Sequence, residues 1–250
     1  GASKTYTLPQ AKEISPYRYV GVNFNSQGNP NLKPSDHYNL DLKWDFNPTS
    51  TELISLTAFY KLIKNPISRI EVASAGGYLS YENIADKATV AGVEVEIRKN
   101  LFVRPVSNAA HGMNKLSLGL NGSYIYTNAK MPLATVTTGS QLEGAAPWIV
   151  NFDLSHNFTK GERSFVNTLV LNYVSDKIYT IGTQGYQDMM EQGVLTLDFV
   201  SQAKLNKHLS LNLKARNLLN PSYKLSRKAN ENGEKVILND YKKGINISLG

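Results

Sequence analysis

Apolar and polar residues alternate at every second position over stretches of about ten residues, and turn-forming residues separate these stretches. In residues 116–127 the even positions are nearly all large and apolar, whereas the odd positions are mostly small or polar. Residues 39–46 and 209–216 repeat this period. Successive side chains of a β-strand point to opposite faces, so each stretch predicts a strand with one apolar and one polar face. Membrane-crossing strands need about 9–11 residues, against about 5–6 in ordinary sheets. The pattern therefore predicts the wall of an antiparallel transmembrane β-barrel, an all-β fold.

The composition is compatible with a membrane barrel although it looks polar. Hydrophobic residues make up 41% of the chain, the mean hydropathy is -0.31, and no stretch approaches the roughly 18 apolar residues of a membrane helix. A barrel is polar on average because every second residue faces a wet interior. The 14 tyrosines, eight phenylalanines and two tryptophans suit aromatic girdles at the membrane interfaces, but aromatic residues are also favoured in strands of any kind.

Alternation and turn residues together predict ten strands. They are expected at residues 4–13, 36–46, 52–64, 89–101, 115–128, 146–158, 164–177, 193–205, 208–219 and 240–250. Pro9 interrupts the first and requires an edge or a bulge there. The only candidate for a short helix is 186–192.

The connections between these strands differ in length in a regular way. Residues 47–51, 159–163 and 206–207 are short, whereas four links are long, at 65–88, 129–145, 178–192 and 220–239. Outer-membrane barrels have short periplasmic turns and long extracellular loops, so the long links are expected outside the cell. The link at 102–114 departs from this order and is interpreted as an enlarged periplasmic turn. The last strand is interpreted as ending a few residues before its natural end.

Several segments resemble the C-terminal half of TonB-dependent outer-membrane receptors. They are GNPNLKPS at 28–35, TAFYK at 57–61 followed by KNPI at 64–67, AGVEVE at 91–96 and ARNLLNPSY at 215–223. Ser35 stands where these receptors usually carry Glu. The segments occur in the family's order and at roughly its spacing, over most of the chain.

This resemblance implies a barrel of about 22 strands, of which this chain supplies the last ten or so. The plug domain, the N-terminal strands and the box that contacts TonB would then lie upstream. It also implies an outer-membrane receptor that binds a scarce, bulky solute of the siderophore, haem, cobalamin or glycan class and imports it with energy from TonB. The implied partners are outer-membrane lipid, the TonB complex through an upstream segment, and a small-molecule or oligosaccharide ligand. No cofactor is implied.

Two sets of residues are candidates for contact with solute. Aromatic rings in the long links could stack on sugars, porphyrins or catecholate chelates, and equally suit ordinary loop packing; they are Tyr78, Tyr81, Tyr179, Tyr186 and Tyr223. Polar residues of the strands are expected to line the lumen, namely Asp41, Lys43, Glu94, Glu96, Asn121, Asn151, Asp153, Lys214 and Arg216. The opposite face is expected to contact lipid through Leu40, Leu42, Trp44, Leu116, Leu118, Leu120, Val150, Phe152, Leu154, Leu169, Leu171, Leu209, Leu211 and Leu213.

The chain offers no convincing catalytic or metal site. Its four histidines (His37, His111, His156 and His208) are far apart and have no partner at metal-ligand spacing. Asp153 and Ser155 share a strand face from which His156 points away, so they cannot form a local triad. The Gly-rich segment 75–77 is not followed by a helix and predicts no phosphate loop. We therefore expect no enzyme activity.

Other functions remain as alternatives to the receptor. The net charge of +7 and a pI near 9.3 could indicate nucleic-acid binding, but the lysines and arginines are scattered. Attraction to an anionic outer leaflet or an acidic solute is a better use of this charge. A passive porin or structural barrel, a barrel-borne hydrolase and a soluble β-sandwich that binds carbohydrate also remain. In the sandwich the leucines would be buried rather than outward.

Overall fold

The computed structural model describes residues 1–74, 77–106, 112–131, 141–229 and 233–250. Ala75, Gly76 and His111, which entered the search for catalytic groups, lie outside these residues. The described elements are β1 (Ala2–Thr7), α1 (Ala11–Ile14), β2 (Arg18–Tyr19), β3 (Ser26–Gln27), β4 (Ser35–Phe46), β5 (Leu53–Lys64), β6 (Ile67–Val72), β7 (Tyr78–Asn83), β8 (Lys87–Pro105), β9 (Met113–Ala129), β10 (Trp148–Lys160), β11 (Arg163–Val174), β12 (Lys177–Thr180), β13 (Met189–Glu191), β14 (Val194–Lys204), β15 (Ser210–Arg216), β16 (Ser222–Lys228), β17 (Lys235–Lys242) and β18 (Asn246–Leu249).

Ten strands form one large antiparallel sheet, the wall. Their order is β1-β4-β5-β8-β9-β10-β11-β14-β15-β18, so each wall strand pairs with the wall strands before and after it along the chain. This confirms the predicted all-β fold. Among the described residues, β1 and β18 are the two edges of the wall and do not pair with each other.

The register separates an apolar from a polar face. Leu154 lies opposite Leu118 on one side and Leu169 on the other, and the remaining leucines of the strand pattern share this apolar face. Leu42 is 74% exposed and Leu211 43%, and Leu118 is partly exposed. A soluble sandwich would bury these side chains, so their exposure fits a surface that faces lipid.

Aromatic rings lie near both ends of the apolar face. Tyr124 packs against Trp148 with ring centroids 4.6 Å apart, and Phe158 packs against Phe165 at 6.3 Å. Trp148 and Phe158 are ten residues apart on β10, which corresponds to about 34 Å along a strand and about 26 Å of height at a tilt of about 40°. That height matches the apolar band of about 25 Å in outer-membrane barrels.

The polar face is connected across strands by side-chain hydrogen bonds. Asn151 donates to Asn121 Oδ1 at 3.3 Å, and the hydroxyls of Ser155 and Thr168 are 3.0 Å apart. The Asp153 carboxylate lies directly over Gly119, in the space that a β carbon would occupy. These contacts satisfy polar groups that have no place on the lipid-facing side.

The connections at one end of the wall are themselves folded, contrary to the prediction of simple loops. They form two four-stranded sheets, β2-β3-β7-β6 and β12-β13-β16-β17. β3 pairs with β7 in parallel, and Ile70 forms a parallel bridge with Ile181. Pairing is antiparallel throughout the wall and in most ladders of the loops, as expected. The β3–β7 ladder and the Ile70–Ile181 bridge are the parallel exceptions, and each joins segments from two different connections.

Two predicted strands, the first and the last, and the predicted short helix differ from the structure. β1 ends at Thr7 instead of residue 13, because Pro9 has no amide hydrogen for a ladder and α1 starts at Ala11, where the backbone N–H of its N-cap Gln10 donates to the Glu13 carboxylate. Residues 186–192 form no helix, since β13 pairs with β12 and β16. The last wall strand starts at Asn246, after Gly244 takes a φ of 79°, and residues 240–242 belong to β17.

The link at 102–114 is shorter than expected. β8 continues to Pro105 and β9 begins at Met113, with a register shift between Asn100 and Phe102 that accommodates one extra residue. Residues 107–111 lie outside the described part of the chain. Within the described ranges, no helix has the length and apolar character needed to cross a bilayer, a finding that does not bear on crossing by strands.

Candidate ligand-binding site

Five connections at one end of the wall pack into a single body, here called the loop layer. It comprises the described parts of residues 8–34, 65–86, 130–147, 175–193 and 217–245. Its apolar core contains Ile70, Ile84, Leu142, Ile178 and Ile181, and includes Ala88 and Ala129 from the wall. Since Ala88 and Ala129 belong to the polar face of the wall, the loop layer covers that face and not the apolar one.

Two grooves in the loop layer share a pair of aromatic rings. Phe24 and Tyr179 lie with ring centroids 6.5 Å apart and line both grooves. The first, the aromatic groove, has a volume of about 480 Å³ and is also lined by Asn23, Glu191, Tyr223, Lys224, Leu225, Asn239 and Tyr241. Volumes of about 300–1,000 Å³ are usual for small-molecule sites.

The second groove, the cationic groove, is lined by the same two rings. Its volume is about 470 Å³, and its lining includes Lys12, Arg69 and Tyr81. Burial raises the pKa of the Tyr81 hydroxyl, although the nearby Arg69 acts in the opposite direction. Tyr81 therefore remains a neutral phenol at physiological pH, able to donate a hydrogen bond to an anionic group.

Two aromatic pairs of the grooves, Phe24 with Tyr179 and Tyr223 with Tyr241, each have a cation against one ring. The Arg69 guanidinium lies 4.4 Å from the centroid of Tyr179. The ammonium of Lys243 lies 3.8 Å from the centroid of Tyr223, and that ring stacks on Tyr241 at 5.4 Å. A positive charge against an aromatic face is stabilised by the ring quadrupole. The grooves thus present flat rings and positive charge together.

Arg69 is held in place by a neighbouring loop. Its Nη2 lies 3.1 Å from Glu143 Oε1, and its backbone N–H donates to the other oxygen of the same carboxylate. Burial raises the pKa of Glu143, although both contacts with Arg69 lower it in part. Arg69 Nε is buried without a hydrogen-bond partner among the described residues, which leaves one donor of the guanidinium unused.

A second ion pair joins the 65–86 connection to the 217–245 connection. Arg227 on β16 donates to the Glu71 carboxylate on β6, and both side chains are largely buried. The hydroxyl of Thr183 donates to the carbonyl oxygen of Glu71. Loop-layer segments from three connections therefore meet at Glu71.

Comparison with known proteins assigns the chain to a family. The family model described as "TonB dependent receptor-like, beta-barrel" matches residues 1–218. The chain belongs to the TonB-dependent receptor β-barrel family. This family consists of receptors and transporters rather than enzymes, and its members lie in the outer membrane, which is where this chain is located.

Two curated relatives extend this assignment. An iron-regulated outer membrane virulence protein of Vibrio cholerae serotype O1, El Tor Inaba strain, is 26% identical over 208 residues, which cover 79% of this chain and 29% of the relative. The protein of the same name from the Classical Ogawa strain is 25% identical over the same shares. The chain thus matches less than a third of the length of these relatives.

In this TonB-dependent receptor barrel, the five predicted tyrosines are distributed unevenly. Tyr179 lines both grooves, Tyr223 lines the aromatic groove and Tyr81 the cationic groove. Tyr78 lies outside both and has the Arg18 guanidinium 6.0 Å from its ring centroid. Tyr186 also lies outside and has Arg227 at 5.2 Å.

The predicted lumen residues share the polar face of the wall but do not line either groove. Register places Lys43 opposite Thr57, which in turn lies opposite Glu94, and Glu96 lies opposite Asn121. Asp41, Asp153, Lys214 and Arg216 share this face. Lys43 pairs with Asp45 at 3.2 Å and Glu96 with Arg98 at 2.7 Å. Among the described residues, no group of three or more His, Cys, Asp or Glu is placed to hold a metal ion.

Three residues that line the grooves were not predicted from the sequence as ligand contacts, namely Phe24, Arg69 and Tyr241. Phe24 lies between the predicted strands 4–13 and 36–46, outside the four predicted long links. Tyr241 was assigned to the last wall strand, and Arg69 was overlooked as one of many scattered cations. Of these three residues, only Arg69 lies in a predicted long link, at 65–88, and no local pattern marks Phe24 or Tyr241 as groove residues.

Proposed function

We propose that this chain forms the membrane wall and part of the ligand site of a receptor that imports a scarce, bulky, anionic solute. A ferric chelate is the first candidate. The observation that supports this is the pair of grooves around Phe24 and Tyr179, where aromatic rings and cations from several loops converge. Flat rings and positive charge together favour a ligand that is both aromatic and anionic.

The relatives add support of a different kind. Their name describes an iron-regulated outer membrane virulence protein, and regulation by iron is consistent with a role in iron supply. Haem, cobalamin and glycans remain the other candidate solutes. Because loops vary freely on such a scaffold, the name alone does not choose among these solutes.

The transport step needs an energy source that the outer membrane does not have. We propose that the TonB complex supplies it through an upstream segment, and that the polar face of the wall lines the lumen. In this proposal Asp41, Lys43, Glu94, Glu96, Asp153, Lys214 and Arg216 contact water or solute during passage. No enzymatic turnover is expected.

Tyr179 provides the sharpest test of the ligand site. In the full-length protein, Tyr179→Leu should weaken binding of the preferred solute by about tenfold, because binding is spread over several loop groups. Tyr126→Leu is the matched control, since this tyrosine is 50% exposed on the apolar face of the wall. Binding is measured by fluorescence quenching with a ferric tris-catecholate, a ferric hydroxamate, haem and cobalamin.

Deletion of residues 68–86 tests the receptor against a passive pore. The deletion removes most of β6 and all of β7 but no wall strand, so uptake should be abolished while the wall remains folded. Folding is checked by heat-modifiable gel mobility. Uptake of every candidate solute that survives both this deletion and loss of TonB would identify a passive pore and overturn the proposal.

A further inference from the structure

Three lysines lie side by side at the outer rim of the apolar face. Lys64 of β5 lies directly opposite Lys87 of β8. Since Ala88 is opposite Ala129, the next position of that register brings Lys130 beside Lys87. Lys87 and Lys130 are exposed, and Lys64 is partly exposed. Like charges directly opposite each other destabilise a sheet.

Nearby carboxylates compensate for only part of this charge. Asp36 lies opposite Lys64, but its carboxylate pairs with Lys4 at 3.4 Å. Among the described residues, none of these three lysines forms an ion pair with a carboxylate. The neighbouring residues 132–140 contain no Asp or Glu. Asp86 is the other acidic group at this position, where it lines a groove with Lys87 and Lys130. Four ammonium groups, including Lys4, therefore face two carboxylates.

The three lysines lie where headgroups meet the barrel. Lys64 is four residues beyond Tyr60 on the same face of β5, and Lys130 is four residues beyond Tyr126. Four residues correspond to about 10 Å of height in a tilted strand. Interfacial tyrosines mark the headgroup boundary, so these ammonium groups lie just outside the apolar band. The described part of the loop layer covers the opposite face and leaves these ammonium groups open to lipid.

The groove between Lys87 and Lys130 gives an anion room to bind. Its volume is about 580 Å³, and Asp86 and Met131 complete its lining. On the far side of Lys64, the ring of Tyr38 lies between two cations, with Lys4 at 5.4 Å and Lys64 at 5.2 Å from its centroid. Lysine binds phosphate as a compact point charge.

We propose that Lys64, Lys87 and Lys130 form a binding site for the phosphorylated headgroup of a glycolipid in the outer leaflet. The phosphate bridges adjacent ammonium groups and removes their repulsion, and the acyl chains lie against the apolar face below. A lipid occupies this site because this face of the wall is turned to the membrane. The site is independent of the solute that the receptor imports.

A triple variant tests this site in the full-length protein. Lys64→Gln, Lys87→Gln and Lys130→Gln together should weaken binding of bis-phosphorylated lipid A about 100-fold, since each cation near a lipid surface contributes about fivefold. The control triple, Lys160→Gln, Lys204→Gln and Lys207→Gln, makes the same charge change at the periplasmic end and should bind as the unaltered protein does. Binding is measured in neutral detergent by native mass spectrometry, and folding by heat-modifiable mobility.

Two ligand arms separate the possible sources of phosphate. Dephosphorylated lipid A should bind the unaltered protein as weakly as lipid A binds the triple variant, and inorganic phosphate should not displace lipid A at equal concentration. Should the triple variant fail to fold, Lys87→Gln alone, at an exposed position, should weaken binding about fivefold. Three results would each overturn the proposal. They are equal lipid A affinity of the unaltered protein and the Lys64, Lys87 and Lys130 variant, an equal loss of lipid A affinity in the control triple variant, and displacement of lipid A by inorganic phosphate.

Discussion

Gly92 and Gly122, two glycines of the wall, differ in what surrounds them. A β carbon added at Gly92 would meet the ring of Phe59 and the carbonyl oxygen of Tyr124, whereas one at Gly122 would meet nothing within 4 Å. Gly92 thus lets an aromatic ring cover the polar face of β8. The resemblance identified this glycine as part of a family segment, but the ring above it depends on the pairing of β5 with β8.

We expect Gly92→Ala to destabilise the wall by about 1–3 kcal/mol, because Phe59 and the backbone of β9 must shift. Gly122→Ala should change the free energy of unfolding by less than about 0.5 kcal/mol. Urea unfolding in lipid vesicles measures both. Equal effects of the two substitutions would contradict the close packing at Gly92.

Glu143 gives the loop layer a pH dependence. Burial raises its pKa in the folded protein, so the folded state holds the proton more tightly than the unfolded state does. Its contribution to stability is complete below the ordinary pKa of a glutamic acid and is lost as the pH rises through the raised value. The protection of the loop-layer amides against hydrogen exchange, taken relative to their intrinsic exchange rates, should therefore fall over that pH range. Glu143→Gln should remove this part of the dependence, and an unchanged profile in that variant would contradict it.

Among the elements, most wall strands could be predicted from the sequence and the loop strands could not. Strands β4, β5 and β9 were located to within about two residues, because period-2 alternation is a local property of the sequence. β6, β7, β12 and β13 have six residues or fewer. Their partners lie in other connections, so no local pattern reveals them.

The same reason limits prediction of the candidate site. Tyr81, Tyr179 and Tyr223 were found as aromatic residues in long links, since residue type and position sufficed. Phe24 and Arg69 contribute only because β3 pairs with β7 and Ile70 bridges to Ile181. Such long-range pairing cannot be deduced from one sequence.

The ion pair between Glu71 and Arg227 should stabilise the association of β6 with β16. Glu71→Gln leaves a largely buried guanidinium without its partner, which typically costs about 3–5 kcal/mol. We expect faster proteolysis of the loop layer with unchanged heat-modifiable mobility of the wall. The double exchange Glu71→Arg with Arg227→Glu should restore part of the resistance. Equal proteolysis rates in the original and Glu71→Gln proteins would show that this pair does not hold the loops together.

For the whole molecule, the apolar face determines how the wall sits in the membrane. Leu118 lies between the two aromatic bands, and Ser117 beside it points to the polar face, where it bonds Asn100. Leu118→Arg should cost about 2–4 kcal/mol near the midplane. Ser117→Arg, the matched control, should cost much less because its side chain reaches water. Unfolding in vesicles measures both, and a similar cost for the two would reject the assignment of faces.

The parallel bridge between Ile70 and Ile181 also bears on how specificity could be engineered. Because one connection completes the sheet of another, a single loop grafted from a related receptor would arrive without its pairing partners. Its unpaired strand edge would then be left open to solvent. Exchange of specificity in this scaffold therefore requires the connections to be transplanted as a set, much as a whole domain would be.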